Sequence, residues 1–198
     1  MRNLAATMLL LATTATATAE DNLVYAQDIM LTLPDGFALA YNDVGGGRFI
    51  SEFLRPGETV DAWQEMVTVT GFHPDTPPAG ANPARDFAMS IRQGYEAACP
   101  DSFSAYEQPA PTVPGAVSVF AGNLNCGEVA GSGQSQAMTF VVVVGREEIF
   151  TYQWAIQGAP WQGATAYDSA FWQPLLATLG TGLHLCDVPE GQTDCPPE

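Results

Sequence analysis

The sequence predicts an α+β fold, an antiparallel sheet covered by helices on both sides. Three observations predict it. Short apolar–polar alternations, separated by Gly, Pro and Asp turn chemistry, read as strands joined in hairpins. Two longer stretches carry apolar residues at helical spacing behind a capping side chain. Met138 to Val144, MTFVVVV, is apolar on both faces and therefore needs cover on both sides.

In chain order, Arg2, the apolar run Leu4 to Ala12 and the tract ending Ala17-Thr18-Ala19 form an export signal, with cleavage expected between Ala19 and Glu20. The run is far shorter than the roughly 20 residues a spanning helix needs. Residues 1–19 are thus read as a leader and 20–198 as one globular domain, periplasmic or secreted, with no integral membrane segment. Gln27 to Tyr41 reads as a hairpin, with Ile29, Leu31 and Leu33 in one strand, Phe37, Leu39 and Tyr41 in the next, and Pro34-Asp35-Gly36 turning the chain. Gly45-Gly46-Gly47 makes the next turn and Arg48 to Leu54 the next strand. Pro56-Gly57 breaks that strand. Thr59 then caps a short helix around Trp63, which plugs the end of the sheet, and Val67 to Thr70 returns to period two.

His73 to Ala81 is a Pro-rich loop. Asn82-Pro83 is a cap followed by proline at the first helical position, and Phe87, Ile91 and Tyr95 place a helix over 83–98. The prolines of 100–115 predict a surface loop. Val117 to Cys126 is a strand, 127–136 a loop of small residues, and Met138 to Val144 the doubly covered strand. Phe150, Tyr152, Trp154 and Ile156 share one face of the strand after it. Asp168 caps a last helix carrying Phe171, Leu175 and Leu179, which Pro174 is expected to kink or confine.

Cys99, Cys126, Cys186 and Cys195 are an even set in an exported chain, which admits three pairings. Nearest neighbours, Cys99–Cys126 and Cys186–Cys195, are the expected pairs. No C-x-x-C occurs, which speaks against zinc and against a redox pair. The whole chain has a formal charge of −16, and removing Arg2 with the leader makes it −17; lysine is absent. Such a surface repels nucleic acid. The lack of lysine also excludes a Schiff base and a phosphate loop. No cofactor and no metal site is expected.

Three constellations are candidates for chemistry. Gly133-Gln134-Ser135-Gln136-Ala137, with Asp168 and His184 downstream, has the residue order of an α/β-hydrolase triad. A nucleophile elbow, however, needs a following helix, and here a strand follows. Glu52, Glu58, Asp61 and Glu65 offer paired carboxylates, but capping by Asp61, an ion pair from Arg55 to a neighbouring Glu and a solvated helix face explain them better. His73, beside Asp75, has the chemistry of a metal ligand or of an exposed loop residue. Among the tryptophans, Trp161 stands in a loop rather than on an apolar stripe, which suits a binding role. Trp161, Glu52, Glu58 and His73 are therefore the candidate binding residues.

The Leu33-Pro34-Asp35-Gly36-Phe37 turn, the strand–short helix–strand, the long helix, the later meander and the closing helix resemble the Mog1/PsbP-like fold. That family includes small exported bacterial proteins and photosystem II subunits, and the resemblance implies an α/β/α sandwich. The stretch from Glu52 to Thr70, E-F-L-x-P-x-G-E-T-x-x-x-W-x-x-M-x-T, also resembles uncharacterised exported proteobacterial proteins. No basic face like that of PsbP is present, so nothing about photosystem binding carries over. The expected function is an exported, disulfide-bonded, non-enzymatic binding or accessory module for a protein or small ligand. The alternatives are a small exported hydrolase and an immunity or inhibitor protein for a secreted toxin.

Overall fold

The computed structural model describes residues 25–75, 79–162, 167–189 and 195. The leader and its expected cleavage point lie outside them. The strands are β1 (Gln27–Met30), β2 (Ala38–Gly45), β3 (Arg48–Leu54), β4 (Glu65–Phe72), β5 (Phe103–Gln108), β6 (Ser118–Cys126), β7 (Ser135–Val144), β8 (Ile149–Gly158) and β9 (His184–Asp187); the helices are α1 (Pro83–Ala98) and α2 (Ser169–Gly180). Seven strands form an antiparallel sheet in the order β2-β3-β4-β8-β7-β6-β5, while β1 and β9 pair separately. The chain is α+β, as the sequence predicts.

The helices lie on opposite faces because β7 is apolar on both. Val141 and Val143 join Leu176 and Leu179 of α2 in one core cluster, and Phe140, Val142 and Val144 join Ala84 and Ala88 of α1 in the other. Helix α1 lies across β5, β6 and β7. The same face of β3, β4 and β8 is polar instead: Glu52 stands opposite Thr68, Thr68 opposite Gln153, and the Thr70 and Thr151 hydroxyls share a 2.7 Å hydrogen bond.

Locally encoded elements fall where the sequence places them. Asn82 caps α1, accepting a hydrogen bond from the Arg85 N–H, and Asp168 caps α2 through the Phe171 N–H. Gly46 and Gly47 take φ of 61° and 76° in the β2–β3 turn, the left-handed region that a tight hairpin requires. Both expected disulfides form, with Cα–Cα distances of 5.6 Å for Cys99–Cys126 and 5.8 Å for Cys186–Cys195.

Four expectations are corrected. The first hairpin does not form. β1 pairs with β9, Gln27 opposite Asp187, and the Ala26 and Gln27 N–H groups donate to the buried Glu148 carboxylate at 2.6 and 3.2 Å. Residues 31–37 cross the α2-side core as irregular chain, and Pro34-Asp35-Gly36 turns it without joining two strands. Arg55 holds that turn: it donates to the Asp35 carbonyl at 2.8 Å, lies 4.0 Å over the Phe37 ring and pairs with Glu65 at 2.8 Å.

The second correction is the short helix. Thr59 and Ala62 exchange two backbone hydrogen bonds, of 3.1 and 2.9 Å, and so close a tight turn. A helix of one turn would have to meet its nucleation cost with little propagation to offset it. Trp63 still reaches the α1-side core, half-buried. Third, the loops 100–115 and 127–136 are shorter than expected, because β5 occupies Phe103–Gln108 and β7 begins at Ser135. β9 is likewise a strand within the expected tail. Fourth, α2 runs continuously through Pro174.

Candidate functional site

Antiparallel pairing of β4 with β8, Glu65 opposite Ile156 and Phe72 opposite Ile149, sends their C-terminal extensions to opposite ends of the sheet. His73 follows β4 and Trp161 follows β8. Two of the candidate binding residues therefore occupy different ends, and each lines its own cleft.

The Trp161 cleft, of about 500 Å³, is formed by three segments: Pro100-Asp101-Ser102 after α1, Glu128 and Ala130 after β6, and Trp161-Gln162 after β8. The buried Cys99–Cys126 bond ties the first two segments together. Backbone hydrogen bonds continue the join: Gly127 N–H donates to Ser102, Ala130 N–H to Ala98, and Trp161 N–H to Gly127 at 2.9 Å. The Glu128 N–H donates to the Ser102 hydroxyl at 2.9 Å. Gly127 is required by close approach, since a Cβ there would lie 2.5 Å from the Trp161 carbonyl oxygen and 3.2 Å from its indole nitrogen. Tyr167 braces the Trp161 ring edge-on, with centroids 5.5 Å apart. Aromatic contacts continue from Tyr167 to Trp172. There the indole nitrogen of Trp172 is buried with no hydrogen-bond partner among the described residues, as are one side-chain amide atom each of Asn123 and Asn125.

Sequence reasoning singled out Trp161 but missed Asp101 and Glu128. The signal was present. Each carboxylate stands two residues after a half-cystine, in Cys99-Pro100-Asp101 and Cys126-Gly127-Glu128. Pairing those cysteines brings both acids to the same place.

The His73 cleft, of about 630 Å³, lies between the β2–β3 turn and the end of β4, with Asp43, Arg48 and Asp75 among its walls. Nearby, ligand atoms of His73, Glu147 and Glu148 come within 4.8 Å of one another, a set that could hold a metal ion although none was expected. Glu148 is wholly buried there. One of its oxygens accepts the Ala26 and Gln27 N–H groups and the other accepts the Glu147 N–H at 3.3 Å. It serves the fold, leaving an exposed imidazole and an exposed carboxylate to face a cation.

Glu52 and Glu58 join neither cleft. Glu52 stands mid-strand in β3, and partial burial raises its carboxyl pKa. Glu58 accepts the Gln64 N–H at 2.9 Å and borders a shallow cleft beside Leu39 and Pro56. The triad order is not a site either. Ser135 is buried at the start of β7 opposite Gly158, Asp168 caps α2, and His184 pairs with Met30 in the two-stranded sheet. No helix among the described residues is long and apolar enough to cross a membrane. Compared with protein-family models and with curated proteins, the chain matches none.

Proposed function

We propose that this chain is an exported, non-enzymatic binding or accessory module of the periplasm, which takes a small ligand in the Trp161 cleft. One observation carries the reading: three loop segments, separated in sequence, are locked by a buried disulfide and backbone hydrogen bonds into a cleft with a loop tryptophan in its wall. Its volume falls within the roughly 300–1,000 Å³ of small-molecule sites. Two disulfides suit an oxidising compartment, and residues 1–19 have the pattern of an export leader. The resemblance to the Mog1/PsbP-like fold belongs to the same proposal. Helices on opposite faces of an antiparallel sheet support it, while the pairing of β1 with β9 departs from the opening hairpin on which the resemblance partly rests.

Thermal-shift screening of the oxidised mature protein against a panel of small polar and charged compounds tests the reading. A ligand present at about 100 times its dissociation constant stabilises the folded state by about 2.7 kcal/mol, a readily measured shift. Hits are expected to lose that shift in Trp161→Ala and keep it in Ser135→Ala. Turnover of any compound that disappears in Ser135→Ala would overturn the reading in favour of a hydrolase. So would a panel in which no hit depends on Trp161.

A further inference from the structure

We infer that the ligand of the Trp161 cleft is a small organic cation, an amine or quaternary ammonium; this rests on the binding reading above. The wall chemistry carries the inference. Asp101 and Glu128 supply two carboxylates, Trp161 an indole, Ser102 a hydroxyl and Gln162 an amide, and no basic residue is among the described residues that line the cleft. The ion pairs of the described residues are Arg55–Glu65, Arg85–Glu107 and Arg146–Asp187, so neither cleft carboxylate is neutralised by an arginine. An anionic ligand would meet two like charges at the cleft wall. Both carboxylates are exposed and hydrated, and a neutral ligand would draw no electrostatic attraction from them.

Tryptophan is the best aromatic partner for a cation held over its face. Here the indole is positioned before any ligand arrives: its backbone N–H is bonded to Gly127, its nitrogen edge closes over that glycine, and Tyr167 stands against its ring. Such pre-organisation lowers the ordering cost of binding. The two carboxylates are placed by the same disulfide, each two residues beyond its half-cystine. The acidic surface as a whole, at −16 for the full sequence, raises the local concentration of cations and speeds their arrival. The cleft's size fits a small molecule, and a basic peptide is the competing occupant that the test excludes.

The test is calorimetry at low salt on the oxidised mature protein with choline, with its uncharged isostere 3,3-dimethylbutan-1-ol, and with a short oligo-arginine peptide. Choline is expected to bind one to one, and the isostere about tenfold or more weakly, as the loss of a cation–π contact together with the attraction of two carboxylates implies. Asp101→Asn with Glu128→Gln is expected to weaken choline about tenfold and to flatten its salt dependence. Trp161→Ala should abolish binding. Trp161→Phe, which keeps a ring against Tyr167, should fold normally and bind several-fold more weakly, so a misfolded Ala variant does not decide the matter. Equal affinity for choline and its isostere would overturn the inference, as would choline binding unchanged by the double carboxylate variant. Tighter, Trp161-dependent binding of the peptide would overturn it too. A neutral or anionic compound whose binding requires Trp161 would sink the cation while leaving the binding module standing. Loss of every Trp161-dependent ligand would sink both.

Discussion

Glu148 and Glu52 carry the same side chain into opposite circumstances. Glu148 is wholly buried, yet its carboxylate accepts backbone N–H groups from Ala26, Gln27 and Glu147. Charge-assisted bonds of this kind offset the desolvation that burial imposes. Its importance was not legible in the sequence, because the chain it anchors lies 122 and 121 positions upstream. Glu52 was legible only as a carboxylate in an interesting stretch. In the fold it stands between Tyr41 and Thr68 on the polar part of the α1 face, and desolvation raises its pKa above the ordinary 4.5. The sign of the linkage follows. The folded chain holds this proton more tightly than the unfolded chain, so stability falls as pH rises from the ordinary value through the raised one, and stays lower above it. Glu52→Gln is therefore expected to stabilise the protein at pH 7 and to make no difference well below pH 4. The side chain is partly exposed and solvent screens it, so the gain should stay within about 0.5 kcal/mol. Urea titrations at pH 7 and pH 3.5 check it, and a larger gain at the acidic pH would contradict the assigned cause.

At the scale of elements, what was legible is what is local. Helix α1 announces its own start, since Asn82-Pro83 needs nothing distant to be read, and β3 and β4 show the period of two that their register uses. The opening hairpin was misread because turn chemistry says where a chain turns, not which strand it then joins. The partner of β1 is β9, at the other end of the chain. β5 was missed because the prolines flanking it outweigh six residues of an edge strand, half of whose surface faces no core. Even the legible cap gains a tertiary tie. The Asn82 side-chain oxygen accepts hydrogen bonds from the Arg85 N–H at 3.1 Å and from the Ser118 hydroxyl at 2.9 Å, and Ser118 in turn accepts from the Ala84 N–H at 3.3 Å. The cap thus ties α1 to the first residue of β6. Asn82→Ala should destabilise by about 1 kcal/mol, as for other caps. Combined with Ser118→Ala, the loss should be smaller than the sum of the two single losses by about 0.5 kcal/mol or more, because the residues share one network. Additivity in a double-mutant cycle would show that the cap acts alone.

Across the whole molecule, the two disulfides were equally legible as pairs but do different work. Cys186–Cys195 ties β9 to Cys195, with a sequence separation of 9. Cys99–Cys126 spans 27 positions and joins the end of α1 to the end of β6, where two of the three cleft segments begin. Chain entropy alone assigns the longer loop about 3.5 kcal/mol and the shorter about 2.7 kcal/mol, a difference too small to distinguish them by stability. On the proposed binding role, ligand affinity is the quantity expected to distinguish them. The Cys99→Ala/Cys126→Ala variant removes the covalent tie between the two segments that carry Asp101 and Glu128 in the wall they share with Trp161, leaving backbone hydrogen bonds to join them. That variant should lose cleft binding at a temperature where it is still folded. The Cys186→Ala/Cys195→Ala variant should melt earlier by a similar amount and bind as the parent does. Circular dichroism melts alongside calorimetry of the Trp161-dependent ligand measure both quantities on each protein. If the two variants lose stability and binding in the same proportion, the disulfides act only on the unfolded chain, and the cleft owes its shape to hydrogen bonds and packing alone.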